Sequence, residues 1–239
     1  MKIKLKLLYL WMCSVFLLNA CFQGETEMKQ KQEVDVPVSG YEHTVRFDVA
    51  GVHLDVPYGY LYEYSNKVKQ MWLQNNDNRH EIEPLRLMVA EMETLSPYNQ
   101  KTQHHFKNHD NGTGSDAVSM LIYSGEKCKN LNSLERMKES LNHGYTYMSG
   151  LPSGYIGFEN NSNPTRSKDI YFEDENEKTI LGIRKEDHNG KFVVQAFSCR
   201  NNLYVHYYLD YEPGNEFPIN DAIQFNQRLN QLIESMIVN

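Results

Sequence analysis

His104, His105 and His109, in the stretch YNQKTQHHFKNH, form the only histidine cluster of the sequence. On a helix, positions 105 and 109 share a face, as zinc ligands can. No HExxH glutamate accompanies them and Asp110 is the nearest carboxylate, so a polar surface helix is the commoner meaning of the pattern. Glu173, Asp174, Glu175 and Glu177 could supply paired carboxylates for acid–base work or a cation site, yet adjacent acids between strands are usually solvated. Gly150, Leu151, Pro152, Ser153 and Gly154 hold a serine between glycines in the wrong order for a GxSxG nucleophile turn. Walker A, GxGxxG and EF-hand patterns are absent, and Asn111, Gly112 and Thr113 match a glycosylation sequon. The expectation is therefore no catalytic residue, no metal ligand set and no cofactor.

The remaining chemistry belongs to cysteine. Lys2, Lys4 and Lys6 precede an uncharged apolar run from Leu7 to Leu18, the layout of an export signal. As a helix that run would reach about 18 Å at ~1.5 Å per residue, short of the ~30 Å hydrocarbon core, so a permanent span is disfavoured. Leu18, Asn19, Ala20 and Cys21 resemble a bacterial lipobox, in which a small residue admits the peptidase and the cysteine thiol takes the lipid. Residues 1–20 are then a lipoprotein signal peptide, and Cys21 carries a diacylglyceryl thioether with further acylation such as palmitate. Two or three acyl chains hold a protein almost permanently. Phe22 stands where an aspartate would favour inner-membrane retention, which points to the outer membrane, facing the periplasm. An ordinary secretory signal that happens to contain a cysteine is the alternative.

Residues 21–43 are polar and poor in large apolar groups, and read as a flexible tether with a reach of about 26 Å. Residues 44–239 are long enough for a single domain with its own core. Cleavage removes three lysines and leaves 21 basic against 31 acidic residues, a formal charge of −10. Nucleic acid, which usually meets a basic face, is an unlikely partner for such a chain. Of four cysteines, Cys13 leaves with the signal and Cys21 is consumed by lipid. Cys128 and Cys199 remain, and in an oxidising compartment they are expected to form a disulfide worth roughly 2–4 kcal/mol; two separate buried thiols are the other possibility.

The elements that must carry these residues are an antiparallel sheet and a closing helix. In TVRFDVAGVHLDVP the apolar residues Val45, Phe47 and Val49 are answered by Val52, Leu54 and Val56. A hairpin turning at Ala50 and Gly51 would put all six on one face, although the favoured two-residue turns need positive φ, which alanine resists. Residues 58–64 and 68–73 read as further strands, 85–89 as an apolar strand, 98–109 as a short helix, 117–123 as a strand and 131–141 as a helix. Residues 143–164 read as strand plus loops. Residues 170–173, 179–184, 192–199 and 203–211 read as successive antiparallel strands. On the last, Leu203, Val205, Tyr207, Leu209 and Tyr211 point to the core, while Tyr204, His206, Tyr208 and Asp210 face a wetter side.

Asn220 is expected to cap a final helix whose Ala222, Phe225, Leu229, Leu232, Ile233 and Met236 make an apolar stripe. Gln224, Asn226, Gln227, Asn230 and Glu234 would form its polar face. That helix packing on one face of the sheet gives an α+β fold; lying on a membrane surface is disfavoured because its polar face lacks lysines.

Several stretches together resemble a family of bacterial exported proteins encoded beside type VI secretion effectors and serving as their immunity partners. They are FDVAGVHLDVPYGYL, EPLRLMVAEMETLSPYNQKTQHHF, AVSMLIYSG, CRNNLYVHYYLDYEP and FNQRLNQLIESMI. The family's arrangement of cysteine, hairpin strand and helix is matched at Cys199, while a nearby partner cysteine is missing and Cys128 must substitute. The resemblance implies a non-enzymatic, membrane-anchored periplasmic protein that binds and neutralises a cognate secreted toxin such as a lipase or cell-wall hydrolase. The acidic charge would steer a basic partner. A structural envelope lipoprotein and a lipid-anchored hydrolase are the alternatives.

Overall fold

In the computed structural model the described residues are 43–238, apart from 76, 112–115, 132, 161–166, 187–188 and 213–215. The expected signal peptide, Cys13, Cys21 and the tether lie outside them.

Strands β1 (Thr44–Val49) and β2 (Val52–Pro57) form the anticipated hairpin, with Val49 opposite Val52, Phe47 opposite Leu54 and Val45 opposite Val56. Alternation sets this register, because a slip of one residue would turn the whole apolar set to solvent. Ala50 and Gly51 both take positive φ, 50° and 87°, as a two-residue turn that follows strand twist requires. Asp48 helps hold the alanine there, its Oδ1 accepting from Gly51 N at 2.6 Å.

The next segment corrects the expectation of strands. Pro57 ends β2, and Tyr58–Leu61 is a 3-10 turn whose Gly59 backbone lies so close to Pro97 and Tyr98 that a Cβ would approach within 2.8 Å. Residues Asn66–Gln74 form helix α1. Its N-cap is Ser65, whose side chain accepts from Val68 N at 3.4 Å, satisfying an amide that the first turn leaves open. A short strand, β3 (His80–Glu81), then pairs in parallel with β1 and completes a three-stranded sheet ordered β2-β1-β3.

The main sheet has eight strands. In chain order they are β4 (Leu85–Val89), β5 (Val118–Ser124), β6 (Tyr145–Tyr147), β7 (Tyr155–Asn160), β8 (Ser167–Glu173), β9 (Glu177–Lys185), β10 (Phe192–Arg200) and β11 (Leu203–Tyr211). Their spatial order is β4-β5-β11-β10-β9-β8-β7-β6, with every neighbour antiparallel. Helices α2 (Gln103–Asn111), α3 (Ser133–Asn142) and α4 (Ile219–Met236) complete the α+β architecture. Among the described residues no helix is long and apolar enough to cross a membrane.

Both faces of the main sheet carry apolar rows. On the inner face Tyr207, Ala196, Leu181 and Ile170 follow one another across β11, β10, β9 and β8. Over this face lies α4, which buries Ala222, Phe225, Leu229, Ile233 and Met236. The residues after α4 reach the small sheet, where Val238 N donates to His53 O at 3.0 Å. Two expectations about α4 are corrected. Its N-cap is Pro218, whose carbonyl accepts from Ala222 N at 3.0 Å, and Asn220 sits within the first turn. Asn226 and Asn230 are buried, at 0% and 4% exposure, and do not belong to the polar face.

On the outer face Phe158, Tyr171, Ile180, Cys199 and Leu131 form a second core cluster, flanked by α3. Cys128 and Cys199 are bonded there as a disulfide, with Cα atoms 5.7 Å apart. The bond ties the 3-10 turn Gly125–Asn130 to β10.

Candidate functional site

Period-two alternation along β11 places Tyr204, His206, Tyr208 and Asp210 on the outer face, beyond the part that α3 covers. They continue into neighbouring strands as a ladder of rings. Tyr204 lies 5.9 Å from Tyr123 of β5 and 6.1 Å from Phe197 of β10, centroid to centroid. His206 stacks on Phe197 at 4.7 Å with planes 8° apart, and meets Tyr208 edge-on at 4.9 Å. Gln195 pins the far end, its Nε2 donating to Tyr208 Oη at 2.8 Å. At the near end Lys127 Nζ sits 3.1 Å from the centroid of the Tyr123 ring, placed there by the turn that the disulfide anchors. Tyr208 is 51% exposed.

The ladder runs into an open groove of about 940 Å³, floored by Leu121, His206, Tyr208 and Asp210 and bordered by Asn108 and His109 of α2. Its carboxylates are Glu63, Asp116, Asp210 and Glu212, against the cations Arg86 and Lys191. Arg86 is already engaged, its Nε 3.0 Å from Glu63 Oε2. Burial, helped by the nearby Lys127 charge, holds the His206 imidazole below its ordinary pKa. The ring is therefore neutral in a near-neutral medium and serves as an aromatic surface. Its Nε2 faces the Gln195 amide nitrogen at 3.4 Å, a group that cannot accept its proton as a carboxylate would. Rigid amphipathic rings, an amide and unneutralised acids suit recognition of a partner rather than bond making.

The histidines read from the sequence lie on α2 but do not converge. The His104 and His105 ring centroids lie 3.8 Å apart with their planes tilted by 39°, and His105 Nδ1 lies 3.5 Å from Asp116 and Nε2 3.9 Å from Glu91. His109 borders the groove, while Asp110 accepts from Tyr62 Oη at 3.0 Å. Among the described residues no three His, Cys, Asp or Glu side chains are grouped to hold a metal. The acidic run also disperses. Glu173 pairs with Lys178 at 2.8 Å, and Asp174 Oδ1 accepts from Asn176 N and Glu177 N, each at 2.7 Å. Glu177 turns inward to accept from Asn230 Nδ2 at 2.8 Å. Ser153 stands on an exposed loop.

A model of the family described as "RTX iron-regulated protein FrpC" matches residues 3–239. The chain belongs to that family. The fold of this FrpC-family chain is shared with the crystal structure of the Neisseria meningitidis iron-regulated outer membrane lipoprotein FrpD. That likeness has a TM-score of 0.64 and 21% identity, and covers 84% of this chain and 95% of that one. No curated protein matches the chain. Type VI secretion, to which the sequence resemblance pointed, is named by neither description.

Proposed function

We propose that the chain is a lipoprotein acylated at Cys21, held on the periplasmic side of the outer membrane, and that its folded body binds a secreted protein partner without catalysing a reaction. The observation that carries this reading is the ring ladder ending in exposed Tyr208 beside an acidic groove. The lipobox and the outer-membrane description of the solved relative support the anchor. The sequence contains no GGxGxD repeat of the kind that RTX arrays use to bind calcium. We therefore take the RTX description as pointing to the class of the partner.

Co-purification of the full chain with the secreted product of the adjacent gene tests the binding role. A stable one-to-one complex is expected; no complex, together with turnover of an ester or glycan substrate, would replace the reading with a hydrolase. The anchor is tested by fractionation of C21S, which should leave the membrane pellet and lose its acyl mass.

A narrower form of the same reading makes the partner a type VI secretion toxin and this chain its immunity protein, as the sequence resemblance implies. In that form, deleting the gene makes cells sensitive to the partner, and complex formation abolishes the partner's activity. A partner with no toxicity in either background removes the narrower form and leaves the binding role.

A further inference from the structure

Resting on the partner-binding reading, we propose that the groove beside Tyr208 takes an extended segment of the partner bearing arginine or lysine, with a cation on the Tyr208 ring and flanking positive charge met by Asp210 and Glu212.

The ladder has two ends that differ in a telling way. At one end the Tyr123 face is occupied by this chain's own cation, Lys127. At the other, Tyr208 is half exposed, and among the described residues no lysine or arginine lies on its ring. The same aromatic surface thus shows a filled cation site and an open one. Charge around the open end favours the same occupant. Asp210 and Glu212 are exposed and have no ion-pair partner among the described residues, and the groove's four carboxylates outnumber its two cations, one of which is tied to Glu63.

Geometry favours an extended chain over a folded knob. Tyr204, His206, Tyr208 and Asp210 recur every second residue along β11, so their side chains repeat at roughly 7 Å. A strand-like segment laid alongside presents alternate side chains at the same interval. Tyr208 Oη is held by Gln195, so the ring is oriented before binding and little side-chain freedom is lost on contact.

The test uses the full chain in a neutral detergent and a labelled dodecapeptide alternating arginine with threonine, followed by fluorescence anisotropy. The arginine peptide should bind more tightly than a glutamate–threonine counterpart, and should weaken as salt is raised. Y208A, and separately D210N/E212Q, should each weaken it by about fivefold or more, while Y208F, which keeps the ring, should stay within about twofold of wild type. E126Q, at the exposed Glu126 that faces Lys129, should have no effect. Equal binding of the glutamate peptide, wild-type affinity in the groove variants, or an equal loss in E126Q overturns the proposal. A Y208A-sensitive dimer of the chain in sedimentation would also overturn it, by assigning the groove to a second copy.

The natural partner separates the two readings. Capture that survives Y208A/D210N/E212Q undiminished rejects the groove's role and keeps partner binding. Groove-dependent peptide binding with no captured partner keeps the groove chemistry and rejects the proposed function.

Discussion

Tyr207 donates its hydroxyl to Asn226 Oδ1 at 2.8 Å across the boundary between β11 and α4, with both side chains buried. The amide then passes a hydrogen bond onward, Nδ2 donating to Thr179 Oγ1 at 3.2 Å. One turn along α4, Asn230 accepts from Ser198 Oγ at 3.2 Å and donates to Glu177. The helix is thereby registered on the sheet by polar partners set within an apolar interface, where an unmade hydrogen bond is costly.

N226L should destabilise the fold by about 1–3 kcal/mol, since it strands the buried Tyr207 hydroxyl, while Thr179 Oγ1 keeps Glu177 and Ser198 as partners. Adding Y207F should cost less in the N226L background than in wild type. Urea unfolding of the two single variants and the double variant measures that coupling; strict additivity would mean that the two groups do not act as a pair.

Lys69 is 1% exposed, its ammonium lies 4.9 Å from the Tyr58 ring centroid, and no carboxylate among the described residues pairs with it. Burial lowers its pKa from 10.5 to about 8, a penalty on the charged form on the order of 3 kcal/mol. Between those values the unfolded chain keeps a proton that the folded chain has released, so stability rises with pH across that window. K69M should be more stable than wild type at pH 7, and the gap should narrow as pH climbs from about 8 toward 10. A gap independent of pH would show that the amine is not desolvated.

His206 titrates below its ordinary value because of burial first and Lys127 second. The unfolded chain therefore takes up this proton before the folded chain does, so the imidazole removes stability as pH falls below about 6.5 and has no such effect above it. NMR of the ring should give a midpoint below that of a free histidine, moving upward in K127A. An unmoved midpoint in K127A would leave burial as the sole cause.

Ala50 is exposed and holds φ of 50°, a region that costs an ordinary side chain roughly 1–2 kcal/mol. A50N creates the favoured Asn-Gly turn pair and should raise stability by about 0.5–1 kcal/mol in thermal unfolding. A loss of stability would indicate that the turn geometry differs.

Legibility in the sequence followed the range of the interactions. The β1–β2 hairpin and the strands from residue 167 to 211 could be read because apolar and polar residues alternate without interruption, and alternation is a local property. In α1, Val68 stands between Lys67 and Lys69, which imitates a strand. The sequence signal for the helix is Ser65, a residue type that caps well, and the tyrosines before it carry the competing strand signal. Asn226 and Asn230 look solvent-facing in the sequence because an amide's preference for the core depends on what the sheet offers, here Thr179 and Ser198, 47 and 32 residues away. β11 displayed its wet face openly in Tyr204, His206 and Tyr208. The groove itself stayed hidden, since its wall comes from α2, far away in the chain.

The link between Cys128 and Cys199 fastens the turn that sets Lys127 on Tyr123, and thiols stay reduced in the cytosol. In a chain exported as Leu7 to Cys21 imply, that fastening waits for an oxidising compartment. Newly made protein would cross the inner membrane with the turn loose, and oxidation on arrival would lock Lys127 over its ring.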